Sequence, residues 1–300
     1  MYDIIVVGAG PAGLTAAIYG TRAKKSVLVL EATAYGGQII TTDNIENYPA
    51  CPNISGYDFA TKIYNQAKDL GAEIKFEKVT EIIDHKDYKE VVSSKKTYQS
   101  KTVILATGAD NRKLGLPKED KLVGKGVSYC ATCDGNLYKR KTVAVVGGGN
   151  TALQEAIYLS DIAKSVYLIH RRDEFKAEEA LIRKLKRRQN IACIFNTAVT
   201  KLVGKDKLEA IEITDENNKK DTIEVAGLFV AVGRIPENQN FAKLIKLNEY
   251  GYVIAEEDCH TNVDGIFVAG DNRVKLVRQL VTAESDGATA ALEAVKYINK

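Results

Sequence analysis

The sequence predicts an α/β fold of two parallel-sheet domains, one inserted into the other, and three observations carry that expectation. A strand, a glycine turn and a helix open the chain: Ile4-Ile5-Val6-Val7, then Gly8-Ala9-Gly10-Pro11-Ala12-Gly13, then the apolar-periodic Leu14 to Tyr19. The same unit recurs in mid-chain as Thr142-Val143-Ala144-Val145-Val146, then Gly147-Gly148-Gly149-Asn150-Thr151-Ala152, then a helical stretch to Ile162. Near the end come a third buried strand closing on Ala269-Gly270-Asp271 and a small-residue helix from about Ala283 to Ile298, which complete the first unit. Buried β-branched strands alternating with helices build parallel sheets. The expected layout is therefore two Rossmann-like, three-layer dinucleotide-binding domains, the second inserted in the first: residues 1–112 with 241–300, and residues 113–240.

Bulk properties narrow the class. A chain of 300 residues is long enough for two domains of ~150 residues, and 45% hydrophobic content supplies a core for each. A charged fraction of 27% with net charge +3 gives no sign of a nucleic-acid or membrane surface. Five cysteines do not form a secreted disulfide framework, so a reducing cytoplasm is expected. The start runs straight into an apolar strand without a basic leader, and no stretch approaches the ~20 apolar residues of a membrane helix.

In the first unit the glycines let the backbone turn sharply and approach a pyrophosphate at the helix N-terminus, where free N–H groups and aligned peptide dipoles favour negative charge. The strand Val27-Leu28-Val29-Leu30 delivers Glu31, 23 residues after Gly8, close to the place of an acid that accepts from a ribose 2′-OH. Gly36-Gly37-Gln38 and Asn44 to Pro49 read as loop. Helical spacing over residues 57–70 stops at Gly71. Runs at Glu73–Phe76, Val79–Ile83 and Thr97–Tyr98 suggest a small antiparallel layer, and Thr102 to Leu105 a buried strand that closes on Ala106-Thr107-Gly108. The polar, punctuated stretch 111–117 marks a domain boundary, and Gly233-Arg234-Ile235-Pro236 marks the other.

In the second unit the position equivalent to Glu31 is His170, followed by Arg171 and Arg172, with Lys176 on the next turn. A carboxylate there would repel a 2′-phosphate, whereas guanidinium groups bind one through short charge-assisted hydrogen bonds. The second site thus reads as NADPH-preferring, and the first as a site for an adenosine with a free 2′-OH, such as FAD. The later run Arg183 to Arg188 closes a helix that opens on Glu178 and Glu179, a charge order that suits the helix dipole and marks a structural face.

Cys130-Ala131-Thr132-Cys133 stands 14 residues before Gly147. Two thiols at this spacing close into a small disulfide ring, supply half of a zinc site, or stay as two unpaired buried cysteines. No second Cys-x-x-Cys or close His pair accompanies them, which favours redox chemistry.

Taken together, GAGPAG, GGQ, ENYP, ATG, CATCDG, GGGNTA, HRRDEFKAE, VGRIP, AGD and RQ, in this order over nearly the whole length, resemble the low-molecular-weight thioredoxin reductases. The pair directly before the second glycine motif is the specific element. The resemblance implies FAD at Gly8, Gly10, Pro11, Ala12, Gly13, Glu31, Gly37, Gln38, Asn47, Thr107, Gly108, Gly270, Asp271, Arg278 and Gln279. It implies NADPH at Gly149, Asn150 and Thr151 and at His170, Arg171, Arg172 and Lys176. It further implies Cys133 as the flavin-proximal thiol, Cys130 as the thiol that attacks thioredoxin, and Asp134 as the acid/base. A homodimer, no metal, and rotation of the NADPH domain complete the expectation. Alternatives from the residues are an NADPH-dependent flavoprotein reductase of another dithiol protein and a flavin-based redox sensor. Four positions depart from the family pattern: Lys176 stands where Arg is common, Glu284 and Ser285 where small residues are usual, and Cys51 is extra.

Overall fold

A computed structural model describes residues 1–42, 44–51 and 53–300. The described chain divides into two compact units, Met1–Asp110 with Ile235–Lys300, and Asn111–Arg234.

Among the described residues, the larger unit holds a seven-stranded sheet. Strands Glu73–Phe76, Val27–Glu31, Tyr2–Val7 and Thr97–Leu105 lie side by side and parallel, and Ile266–Val268 adds on parallel to the last of them. The apolar runs of these strands are continuous because both faces are covered. Ile4, Val6, Val27 and Val29 face one core with helices Pro11–Arg22, Gly56–Asp69 and Leu280–Ile298. Ile5, Val7, Leu28 and Leu30 face a second core with Val79, Ile82, Val91 and Tyr98 from the antiparallel strands. Alternate residues thus divide between two cores, which makes the unit three-layered. Helices Pro11–Arg22 and Leu280–Ile298 approach closely: a Cβ on Gly287 would overlap the carbonyl of Ala12.

The smaller unit repeats this plan. Strands Ile191–Ile194, Ser165–Ile169, Thr142–Val146, Gly227–Val230 and Val127–Ser128 form a parallel sheet in that order. Helices Asn150–Ser160 and Glu179–Lys186 supply residues to the core on one face. An antiparallel sheet of Thr197–Val203, Ala210–Asp215 and Lys220–Glu224 covers the other.

Four local expectations are corrected. Glu73–Phe76 belongs to the parallel sheet, paired with Val27–Glu31, because the chain returns from helix Gly56–Asp69 to the same sheet in a crossover connection. The antiparallel layer instead uses Lys89–Ser93, whose leading lysine hides its strand character: Lys89 is 1% exposed and its ammonium bonds Asp84 at 2.7 Å. Thr97–Leu105 is one strand, its polar middle pairing with Lys89–Ser93 and Tyr2–Val7. The last helix begins at Leu280, where Gln279 and Thr282 bond each other's backbone N–H groups in a capping box.

Candidate functional site

In the larger unit the glycine turn lies at the C-terminal ends of the parallel strands, the usual ligand edge of such sheets. Gly8 donates its N–H to Leu30 O at 2.8 Å with φ at +109°, and a side chain there would run into the Ala106 carbonyl. A Cβ on Gly13 would overlap the carbonyl of Gly8, so only glycine lets helix and strand close up. Gly10 caps helix Pro11–Arg22, which has Pro11 in its first turn and no side chain bonded over its N-terminus. Gly37 packs on Gly10 and Pro11, and Gly270 approaches Ala12. Glu31 accepts from the N–H of Ala9 at 2.8 Å and of Thr33 at 2.9 Å, which brings the carboxylate to the turn. These residues form one cradle, and its side-chain-free helix end fits a pyrophosphate while Glu31 fits a ribose hydroxyl, as FAD requires.

The other residues expected at FAD are tied to partners around it. Asn47 donates to Gln279 Oε1 at 3.0 Å, joining the ENYP loop to the start of the last helix. Arg278 lies 4.3 Å over the Tyr252 ring and donates to the carbonyls of Asp271 and Arg273. Gln38 donates to Asp110 at 2.5 Å. Thr107 sits in a buried polar knot, donating to Asn238 at 3.1 Å and accepting from Asn272 at 3.0 Å. Gly108 follows with φ at +72° and open space beside it.

In the smaller unit Gly149 caps helix Asn150–Ser160, again with no side chain bonded over the helix end. Lys176 is bridged to Gly149, and its N–H donates to Gly148 O at 2.8 Å, so the HRR stretch folds back onto the glycine turn. The His170 ring lies where a side chain on Gly148 would be. Burial lowers its pKa, and Arg172 and Arg171 add to that, against a ring hydrogen bond to the Glu174 backbone; its Nε2 is sealed from solvent without a hydrogen bond. Arg171, Arg172 and Lys176 are exposed, and among the described residues none of them forms an ion pair. Three solvent-facing cations beside a glycine turn fit the 2′-phosphate of NADPH. Asn150 is committed locally, donating to Glu178 at 2.9 Å and accepting the Glu178 N–H at 2.8 Å, and Thr151 is exposed in the first helical turn.

Cys130 and Cys133 are joined in a disulfide, with their Cα atoms 5.3 Å apart. The ring is carried on the short helix Ala131–Asp134, capped by Cys130, whose carbonyl accepts from Cys133 N–H and Asp134 N–H. Ser128 braces it: the hydroxyl accepts the Cys130 N–H at 3.1 Å and donates to Asp134 Oδ2 at 2.6 Å. Both cysteines are half-buried, a setting in which a partner disulfide can reach a sulfur. Beneath them, Glu155 accepts the Ala131 N–H at 3.4 Å.

Residues 2–287 match the family model described as pyridine nucleotide-disulphide oxidoreductase. The chain belongs to that family. Among its relatives, a thioredoxin reductase of Mycoplasma genitalium is 43% identical over 98% of this chain and 94% of its own. Another, of Listeria innocua, is 40% identical over 100% of this chain and 95% of its own. The crystal structure of a thioredoxin reductase from Streptococcus pyogenes matches at a TM-score of 0.94 and 38% identity, covering 100% of this chain and 98% of that one. Among the pyridine nucleotide-disulphide oxidoreductases, then, this chain stands with the bacterial-type thioredoxin reductases, whose members use FAD and NADPH.

Within this family member several polar residues of the candidate site escape a reading of the sequence. Asn238 and Asn272 are fully buried beside Thr107, yet lie 131 and 165 positions from it in the chain. Tyr48 bonds Glu284, and burial together with that carboxylate pushes the phenol up to about 12. Tyr252 beneath Arg278 has no sequence signal at all. Glu155 looks like an ordinary surface residue of a helix until the cysteine-bearing turn is placed on top of it.

Proposed function

We propose that this protein is a thioredoxin-disulfide reductase that carries electrons from NADPH to the Cys130–Cys133 disulfide and on to thioredoxin. The observation that carries the reading is the formed disulfide, held in the same unit as a glycine turn flanked by Arg171, Arg172 and Lys176. FAD, when bound in the cradle of Gly8 to Gly13, supplies the relay that accepts a hydride and passes an electron pair to the disulfide. The larger unit holds the adenosine end through Glu31, while Asn47, Gln279 and Arg278 shape the wall near the last helix. Arg171, Arg172 and Lys176 select NADPH by its 2′-phosphate, and His170 packs against the glycine turn to hold them in place.

Once the disulfide opens, Cys130 attacks one sulfur of the acceptor and expels the other as thiolate; Cys133 then attacks the mixed disulfide, releases the reduced acceptor and restores the ring. Asp134, which accepts from Ser128 at 2.6 Å, holds and returns the thiol proton in this reading. NADPH and the disulfide share one unit and the flavin cradle belongs to the other, and both need the flavin ring; rotation of the Asn111–Arg234 unit, rather than of residues 113–240, meets that need, since Asn238 is bonded into the larger unit. We place its work in the cytoplasm, as a homodimer. Cys51, Cys193 and Cys259 remain free thiols, which suits a reducing compartment, and no helix among the described residues is long and apolar enough to cross a membrane.

Anaerobic titration of the flavin-loaded protein with NADPH, and separately with NADH, followed by a bacterial thioredoxin, tests the reading. NADPH should bleach the flavin and thioredoxin should restore it. Bleaching by NADH alone would overturn the nucleotide assignment, and no reoxidation by thioredoxin would overturn the acceptor.

A further inference from the structure

Glu155 is the one charged side chain in the sequence of helix Asn150–Ser160. It points under the redox turn rather than into water. Its Oε1 accepts the N–H of Ala131, the residue that follows Cys130, at 3.4 Å. Its Oε2 is sealed from solvent and meets no hydrogen-bond donor among the described residues. A carboxylate with one bare buried oxygen is poorly stabilised as an anion. The turn above is itself close-packed on this helix: a Cβ on Gly135 would lie 3.0 Å from the Tyr158 ring and 3.3 Å from Leu159.

We propose that Glu155 is a positioning residue for the dithiol reaction, taking up one proton when the Cys130–Cys133 bond opens and releasing it when the bond closes. The inference rests on the reductase reading above. In the step itself an electron pair, delivered from the reduced nucleotide or from a small dithiol, enters the S–S bond. The bond breaks, one sulfur takes a proton to become a thiol, and the other is left as thiolate. That thiolate is a new negative charge on the turn that Glu155 supports, and two such anions close together in a low-dielectric site cannot both persist. Protonation of Glu155 removes the conflict, so that the attacking sulfur stays ionised near neutral pH, as exchange requires. On closure the electron pair leaves for the acceptor, the thiol proton is lost, the sulfurs rejoin, and Glu155 ionises again.

The charges that bear on the carboxyl come from two further elements: Asp134 on the redox turn and Arg234 at the start of strand Arg234–Pro236. Burial raises its pKa most; the Ala131 N–H and then Arg234 oppose this, and Asp134 adds to it, leaving the group pushed up to about 7 in the disulfide form. A carboxyl there exchanges its proton where a thioredoxin-type reaction runs. A residue that merely capped the turn would need no such poise.

The experiment equilibrates the full-length, flavin-loaded protein with dithiothreitol redox buffers at a series of pH values and reads the Cys130–Cys133 dithiol fraction by alkylation and peptide-resolved mass spectrometry. Each proton taken up with an electron pair changes the equilibrium tenfold per pH unit, ~30 mV for a two-electron couple. Just above pH 7 the wild type should carry one more such tenfold step per pH unit than Glu155→Gln, and Glu155→Asp should keep the step at a displaced pH. Equal slopes for wild type and Glu155→Gln would overturn the proposal. A second reading needs no variant: the infrared difference between oxidised and reduced wild type should gain a protonated-carboxyl band, and its absence would equally overturn it. Because dithiothreitol supplies the electrons, failure of NADPH to reduce the pair would sink the electron route and leave the slope comparison intact.

Discussion

Arg273 and Asp286 meet through two parallel hydrogen bonds inside the larger unit, Nη2 to Oδ1 at 2.8 Å and Nε to Oδ2 at 2.9 Å, with the arginine only 2% exposed. The same carboxylate accepts from Lys275 at 2.8 Å and from the N–H of Gly270 at 2.9 Å. It therefore fixes the turn at Gly270-Asp271 that closes the cradle. Burial alone would raise the Asp286 pKa, but the bonds from Arg273 and Lys275 outweigh it and hold the group below its ordinary 3.8. Asp286→Ala strips buried Lys275 of its carboxylate and leaves buried Arg273 with only the exposed Glu257 at 3.4 Å, and should cost about 3–5 kcal/mol, measured by urea unfolding of the flavin-loaded protein. The sign of the pH dependence follows from the lowered pKa. The Asp286 contribution is fully present above pH 3.8 and is lost as pH falls through the folded value. A variant as stable as wild type would show that the cluster is not needed to hold the turn.

Exposed Arg171 and Arg172 face solvent and, among the described residues, form no ion pair with a carboxylate, so their value lies in an external anion. Replacing either by Ala should remove about 1.5–3 kcal/mol of charged hydrogen bonding. That is on the order of a ten- to hundredfold rise in KM for NADPH, with NADH kinetics and thermal stability unchanged. Steady-state assays with both nucleotides check this, and a parallel loss with NADH would assign the arginines to general binding.

The two cysteines should separate chemically. With either Cys130→Ser or Cys133→Ser the ring cannot form, so thioredoxin turnover should fall by about a thousandfold or more. Flavin reduction by NADPH should persist in both, since neither sulfur takes part in that step. A mixed disulfide with a single-cysteine thioredoxin should accumulate with Cys133→Ser and not with Cys130→Ser, as mass spectrometry of the stalled complex would show. The reverse pattern would exchange the roles of the two thiols.

Much of the architecture is legible in the sequence because the strongest constraints there are local. Gly8 must accept φ of +109° against the Ala106 carbonyl, which only glycine does without strain, so the motif reports its own geometry. The continuous apolar strands likewise announce burial on both faces. What the sequence conceals is set by distant partners. Glu73–Phe76 alternates like a hairpin strand, and only its place after a crossover helix makes it parallel. Lys89, Arg273 and Asp286 carry the letters of a surface and sit in the interior, since each is neutralised by a partner that the chain supplies elsewhere. Glu155 belongs with them: its helix is plain in the sequence, but the cysteine-bearing turn that buries it is placed by tertiary packing.

Gly148 and His170 provide the last test, because each occupies space the other would need. Gly148 does not require a positive φ, so alanine there is acceptable to the backbone, but its Cβ would overlap the imidazole. The ring cannot simply turn away, as it is half-buried and stacks at 5.8 Å on Phe175. Gly148→Ala should therefore destabilise the protein by about 1–3 kcal/mol through overpacking and raise KM for NADPH, while FAD content stays the same. Removing the ring as well, in Gly148→Ala with His170→Ala, restores the space. The double variant should then recover stability relative to the sum of the single losses, with a coupling of about 0.5–3 kcal/mol. A urea-unfolding cycle on the four proteins measures it, and strictly additive losses would mean that the histidine does not rest on the glycine turn in solution.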